Sequence, residues 1–151
     1  IPIDDLSIVV LPGLTALLAA SARLGAPIGH DFCVINLSDN LKSWDILKSR
    51  VIAAAKADFV IAFYNPRSKS RKNQLSEIYN VLRQNCKSDR IVIYANSIST
   101  ESEAVFETTL SEADASSVSM KTLVIIGSSR TKKIRNTGYI YTPRYSGVEK
   151  N

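Results

Sequence analysis

Phe59-Val60-Ile61-Ala62-Phe63-Tyr64-Asn65-Pro66-Arg67-Ser68-Lys69-Ser70-Arg71-Lys72 sets a continuous apolar run directly against a loop crowded with cations and hydroxyls. An uninterrupted apolar run of this length, closed by turn residues, reads as a strand buried on both faces. Asn65-Pro66 ends it, and the residues that follow open a helical pattern with Leu75, Ile78, Tyr79 and Leu82 on one face. In α/β proteins ligands collect in the crevice beyond the carboxyl ends of the strands. Arg67, Lys69, Arg71 and Lys72 at such a place point to a partner rich in carboxylate or phosphate. A solvated turn that only caps the next helix through Ser70 is the alternative reading.

The same alternation extends outward. Ser7 to Leu11 is a short β-branched strand stopped by Pro12-Gly13, and Leu14 to Leu24 an Ala-rich helix ended by Gly25 and Pro27. Asp31 to Leu37 reads as a strand, and Ser43 as the N-cap of a helix over Trp44 to Lys56. Ile91 to Ala95, Thr122 to Ile126 and Tyr139 to Thr142 read as further strands. Thr100 and Glu103 have the spacing of a capping box and predict a short helix, and Ser111 to Ser119 a polar loop. The pattern predicts an α/β fold: a mixed, mainly parallel sheet of about five strands flanked by helices.

Four strand ends carry small or polar residues: Pro12-Gly13-Leu14-Thr15-Ala16, Tyr64-Asn65-Pro66, Ala95-Asn96-Ser97 and Gly127-Ser128-Ser129. Small side chains admit a ligand to the backbone, and Asn, Ser and Thr both donate and accept. If the strands are parallel neighbours, several of these ends line one crevice. Turn-forming demand accounts for the same residues without a ligand. His30-Asp31 starts a strand, where adjacent side chains diverge, so the pair is no ready-made relay. The residues contain no P-loop and no dinucleotide fingerprint.

The chain has 151 residues, 45% hydrophobic and 22% charged, with a net charge of +5. That is a globular composition of single-domain size, and its charge favours an anionic partner. Aromatics sit inside apolar runs instead of alternating with Lys and Arg, which argues against a base-stacking surface. Cys33 and Cys86 are the only cysteines and read as free thiols of a reducing cytoplasm. One histidine and no close cysteine pair leave no metal site to propose. No apolar run approaches the ~20 residues of a membrane span. The opening Ile1-Pro2-Ile3 reads as a chain entered in mid-sequence, without a secretory leader.

Several blocks carry a family resemblance. Leu11-Pro12-Gly13-Leu14-Thr15-Ala16, Gly29-His30-Asp31-Phe32, Leu37-Ser38-Asp39, Tyr64-Asn65-Pro66-Arg67-Ser68, Lys121-Thr122-Leu123-Val124-Ile125-Ile126-Gly127 and Thr142-Pro143-Arg144-Tyr145 follow one another in unbroken order. Together they resemble the precorrin-3B C17-methyltransferases of the tetrapyrrole methylase superfamily. The resemblance implies S-adenosylmethionine-dependent methylation of C17 of precorrin-3B, or of its cobalt form, with ring contraction in cobalamin biosynthesis. It also implies that residues 1–12 hold the last strand of an N-terminal domain outside this sequence. Residues 13–29 would then be a linker helix and 30–151 the C-terminal α/β domain.

Position by position, the resemblance implies cofactor contacts from Thr15, Ala16, Asn65, Ser97 and Thr122. Substrate carboxylates would fall to Arg67, Lys69 and Arg71, and proton handling during ring contraction to His30 or Asp31. A homodimer acting on a tetrapyrrole, with no nucleic acid and no membrane, is the implied assembly. Ser119 stands where the family usually has Asp, and Asn40 to Ser43 departs from its usual Leu-Thr-Pro. Two readings compete: a non-catalytic α/β module that pairs with another polypeptide, and a basic RNA-associated protein.

Overall fold

A computed structural model describes residues 2–68 and 72–144. A 3-10 turn over Ile3–Asp5 precedes helix α1 (Ala16–Leu24), strand β1 (Gly25–Ala26) and strand β2 (Phe32–Asn36). Helix α2 (Trp44–Lys56), strand β3 (Val60–Tyr64) and helix α3 (Gln74–Asn85) follow. The chain continues through β4 (Ile91–Asn96), β5 (Ala104–Thr109), β6 (Thr122–Ile126), β7 (Lys132–Lys133) and β8 (Ile140–Tyr141).

Helix boundaries follow local chemistry. The first N–H groups of a helix have no intrahelical partner, and a capping hydroxyl supplies one. Thr15 Oγ1 accepts from Leu18 N at 3.3 Å, and Ser43 Oγ from Ile46 N at 3.4 Å. Gly25 ends α1 at φ +116°, where a Cβ would lie 2.9 Å from the Ile140 carbonyl oxygen, so only glycine fits the turn into β1.

The main sheet has five strands in the order β2-β3-β6-β4-β5. It is mixed, as expected, but its parallel share is smaller than the alternation suggests. Only β2 and β3 pair in parallel; β3–β6, β6–β4 and β4–β5 are antiparallel. The difference has two local causes. The segment after Ser97 is a strand, β5, instead of the short helix that Thr100 and Glu103 predict. Val105 and Phe106 favour pleated backbone, and Phe106 stacks on Tyr94 with centroids 4.6 Å apart. Glu103 caps only a turn: its carboxylate accepts from Ser99 N at 2.8 Å and from Arg23 Nε at 2.9 Å. The second cause is the β5–β6 crossover, which is irregular chain, as the polar stretch Ser111 to Ser119 predicts. Its Leu110, Ala113, Ala115 and Val118 fill core positions that a helix would otherwise occupy.

Strand periodicity divides the core into two layers. Ile61 and Phe63 face α2 and α3 together with Ile35, Val92, Tyr94, Val124 and Ile126. Val60 and Ala62 face the other way, under Leu17, Ala20 and Leu24 of α1 and Ile140 of β8. The apolar run through Val60, Ile61, Ala62 and Phe63 is therefore buried on both faces, as its composition requires. A small sheet, β1-β8-β7, closes the α1 side.

Ser7 to Leu11 joins neither sheet among the described residues, and Ile8, Val9, Val10 and Leu11 are all exposed. Cys33 and Cys86 are free thiols, half-buried, and burial raises the pKa of each. Among the described residues no helix is long and apolar enough to cross a membrane.

Candidate functional site

Strand direction decides which predicted residues meet. β2, β3 and β4 end at the same edge of the sheet, the edge where β6 begins. Register there pairs Asn36 with Tyr64 and Asn96 with Thr122. Asn65 and Ser97 follow β3 and β4 directly, and Thr122 opens β6. The start of α1 is fastened to the same end, because Leu17 N donates to Tyr64 Oη at 2.9 Å. Thr15, Ala16, Asn65, Ser97 and Thr122 are thus gathered at one end of the sheet.

Two of these five have left-handed backbone, Asn65 at φ 50° and Ser97 at φ 48°. Left-handed geometry is uncommon outside glycine and persists where surrounding bonds impose it. Here the bonds are identifiable. Asn65 Nδ2 donates to Asn36 Oδ1 at 3.1 Å, and Ser97 N donates to the Lys121 carbonyl at 3.0 Å. Thr122 is buried. Its hydroxyl donates to Asn96 Oδ1 at 3.1 Å and accepts from Ser119 N at 3.0 Å. Ser119 is thereby tied to the site through Thr122.

Two concavities flank this end. One, of about 380 Å³, is lined by Arg67, Ser68, Lys72, Val118, Ser119 and Met120. The other, of about 390 Å³, is lined by Asn36, Ser38, Asn40, Leu41 and Lys42. The first sets Arg67 and Lys72 beside Val118 and Met120, and the second has one cation, Lys42, beside Leu41. Hollows of similar size beside Arg23 and beside Cys33 contain none of the candidate residues.

Arg67 has a structural task that its sequence position does not announce. Its Nη1 donates to the carbonyls of Ala115 and Ser116, at 2.9 and 2.8 Å, and so braces the β5–β6 crossover. The Asp114 carboxyl beside it is held below the usual range, first by the Ser116 hydroxyl and N–H, with Arg67 adding to the effect. Lys69 and Arg71 lie outside the described residues.

The other end of the sheet collects the remaining candidates. Gly127-Ser128-Ser129 falls there because β6 runs against β3 and β4; that strand end does not join the other three. His30 and Asp31 precede β2 and share a hollow of about 220 Å³ with Asp58, Ser128 and Arg130. A five-residue strand separates them from Asn65, roughly 16 Å at ~3.3 Å per residue. His30 Nε2 and Asp31 Oδ2 are 3.9 Å apart, beyond hydrogen-bond length. The sequence reading did not single out Asn36, and it gave Tyr64 only as part of the Tyr64-Asn65-Pro66 strand end. Their signal was available: each is the polar last residue of an otherwise apolar strand.

The chain is 46% identical over 144 residues to a precorrin-3B C(17)-methyltransferase of a Sinorhizobium species, covering 93% of this chain and 57% of that relative. It is 40% identical over 140 residues to a probable cobalt-factor III C(17)-methyltransferase of Salmonella typhimurium, with the same two coverages. The chain thus spans little more than half the length of these relatives. The crystal structure of the methyltransferase CobJ superposes with a TM-score of 0.85 at 45% identity, over 89% of this chain and 55% of that one. These similarities bear out the motif-based resemblance, and the RNA-associated and non-catalytic readings find no support among them. Residues 3–114, most of the chain and including Thr15, Ala16, Asn65 and Ser97, match the tetrapyrrole (corrin/porphyrin) methylases, and the chain belongs to that family.

Proposed function

We propose that the chain forms one wall of an S-adenosylmethionine-dependent enzyme that methylates C17 of precorrin-3B, or of its cobalt form, with ring contraction in cobalamin biosynthesis. The observation that carries this reading is the convergence of Thr15, Ala16, Asn65, Ser97 and Thr122 at one sheet end, between two cation-lined hollows. Those five residues are uncharged and fit a sulfonium-bearing cofactor, which meets no like charge from them. The flanking Lys42, Arg67 and Lys72 fit the acetate and propionate groups of a tetrapyrrole. Lys69 and Arg71 continue that basic stretch in the sequence.

Bound S-adenosylmethionine supplies an electrophilic methyl group. The chain's own residues hold and orient. Asn65 and Ser97 form left-handed turns at the sheet end, and the hydrogen bond from buried Thr122 to Asn96 keeps the strand ends in register. Transfer to an electron-rich carbon needs alignment and exclusion of water more than acid–base help. No nucleophilic triad is therefore required. His30 and Asp31 take no part in methyl transfer in this reading; a proton-handling role would need substrate to reach the opposite sheet end.

The reading further places the enzyme in the cytoplasm as a homodimer. The second copy would cover exposed Leu14, Leu18, Phe32 and Val34, which sedimentation equilibrium tests. Titration calorimetry with S-adenosylhomocysteine tests the cofactor assignment in the protein that carries this chain. Thr122→Val removes the Asn96 tie and should weaken binding about tenfold, since a buried hydrogen bond contributes roughly 1–1.5 kcal/mol. No binding by the wild type would overturn the reading.

A further inference from the structure

Nothing in the proposed cofactor site explains why Tyr64, the last residue of β3, carries its hydroxyl to the start of α1. The first N–H groups of that helix lack intrahelical partners. Thr15 Oγ1 serves Leu18 N, and Tyr64 Oη serves Leu17 N at 2.9 Å from 47 positions away in the chain. The rest of the α1 contact is apolar: Leu17, Ala20 and Leu24 over Val60, Ala62, Ile93 and Ile125. Apolar packing is non-directional and tolerates sliding, whereas a hydrogen bond fixes distance and angle.

Among the described residues, 7–15 pair with no strand, and Val9 to Leu11 are exposed. At the far end of α1 the chain passes into β1, paired with β8, and the side-chain tie is Arg23 Nε to Glu103 Oε1, 2.9 Å, with the Arg23 side chain 70% exposed. Such an exposed pair holds weakly. Tyr64 thus sits at a junction. Its hydroxyl grips α1, while its neighbour Asn65 turns left-handed and grips Asn36 of β2.

We infer that Tyr64 is a positioning residue for methyl-donor binding: its hydroxyl, through Leu17 N–H, sets Thr15 and Ala16 against Asn65. The inference rests on the cofactor assignment proposed above. Tyr64→Phe keeps the ring in the α1 layer and removes only the acceptor. The variant should fold with an unchanged circular dichroism spectrum and raise the Kd for S-adenosylhomocysteine by roughly 5–12-fold, the size of one lost hydrogen bond. Its affinity for an octacarboxylic porphyrin should stay within about twofold, because the cation-lined hollow does not depend on α1. Amide exchange at Leu17 should accelerate in the same variant. Arg23→Gln, which removes only the exposed side-chain tie at the other end of α1, should leave both affinities unchanged.

Equal loss of donor and porphyrin affinity, or failure of Tyr64→Phe to fold, would assign Tyr64 a general structural role and overturn the inference. An unchanged donor Kd would overturn it as well. No donor binding by the wild type would instead refute the cofactor assignment on which the inference stands.

Discussion

Replacing Asp58 tests the architecture at the sheet end opposite the candidate site. Arg90 is buried at 8% exposure, and its Nη2 donates to Asp58 Oδ1 at 2.6 Å. Asp58 also accepts from Ser129 N at 2.8 Å and from Ser129 Oγ at 2.6 Å. One carboxylate therefore joins the entry to β3, the entry to β4 and the turn after β6. Arg90 Nη1 reaches the Gly127 carbonyl at 3.3 Å, and its Nε has no partner among the described residues.

Removing one member of a buried ion pair costs about 3–5 kcal/mol, because the other charge is left without compensation. The Asp58 side chain is 39% exposed, which places Asp58→Ala at the lower end, about 3 kcal/mol. Asp58 also holds φ 59°, where alanine costs about 1 kcal/mol more. The sum is a loss of about 4 kcal/mol for Asp58→Ala, and about 1 kcal/mol less for Asp58→Gly, which accepts the left-handed backbone. Urea unfolding at neutral pH, followed by circular dichroism, reads both differences. Donor affinity should not change in either variant, since the site lies at the other sheet end. A loss under about 1 kcal/mol for Asp58→Ala would show that the pair does not hold Arg90 in place.

Arg67→Ala should cost roughly 1–2 kcal/mol, more than an exposed cation would, by freeing the carbonyls of Ala115 and Ser116. Hydrogen exchange across residues 113–118 should quicken in that variant, and unchanged exchange would remove Arg67 from its bracing role. Alkaline pH should destabilise the fold. Burial, then the Tyr94 hydroxyl, raise the Tyr79 pKa above its ordinary 10.0, and burial raises the Cys33 and Cys86 thiols above 9.0. The unfolded chain loses these protons first, so stability is full below the ordinary thiol value and falls as pH rises past it. Urea midpoints should stay level up to about pH 9 and then decline, less steeply in Tyr79→Phe; a level profile to pH 11 would contradict the assigned burial.

Local chemistry by itself settled a good deal. The apolar run ending at Tyr64, the cap Ser43, and the Leu75, Ile78, Tyr79 and Leu82 stripe each depend on residues within a few positions of one another. All appear in the structure as read. The basic loop after β3 and the small residues at strand ends were legible for the same reason. Strand direction was not. Whether β6 runs with β3 or against it depends on how the 110–121 crossover packs, and that is a choice among distant contacts. Direction alone sends Gly127-Ser128-Ser129 to one end of the sheet and Thr122 to the other. Glu103 shows the limit of local reading: its capping-box spacing produced a capped turn, because pairing of β5 along β4 and the Phe106–Tyr94 stack outweigh a helix start. Arg67 and Tyr64 show it again. A side chain's length and charge are written in the sequence, but the partner it reaches, 48 residues away for Arg67 and 47 for Tyr64, exists only once the sheet and its covering layers have come together.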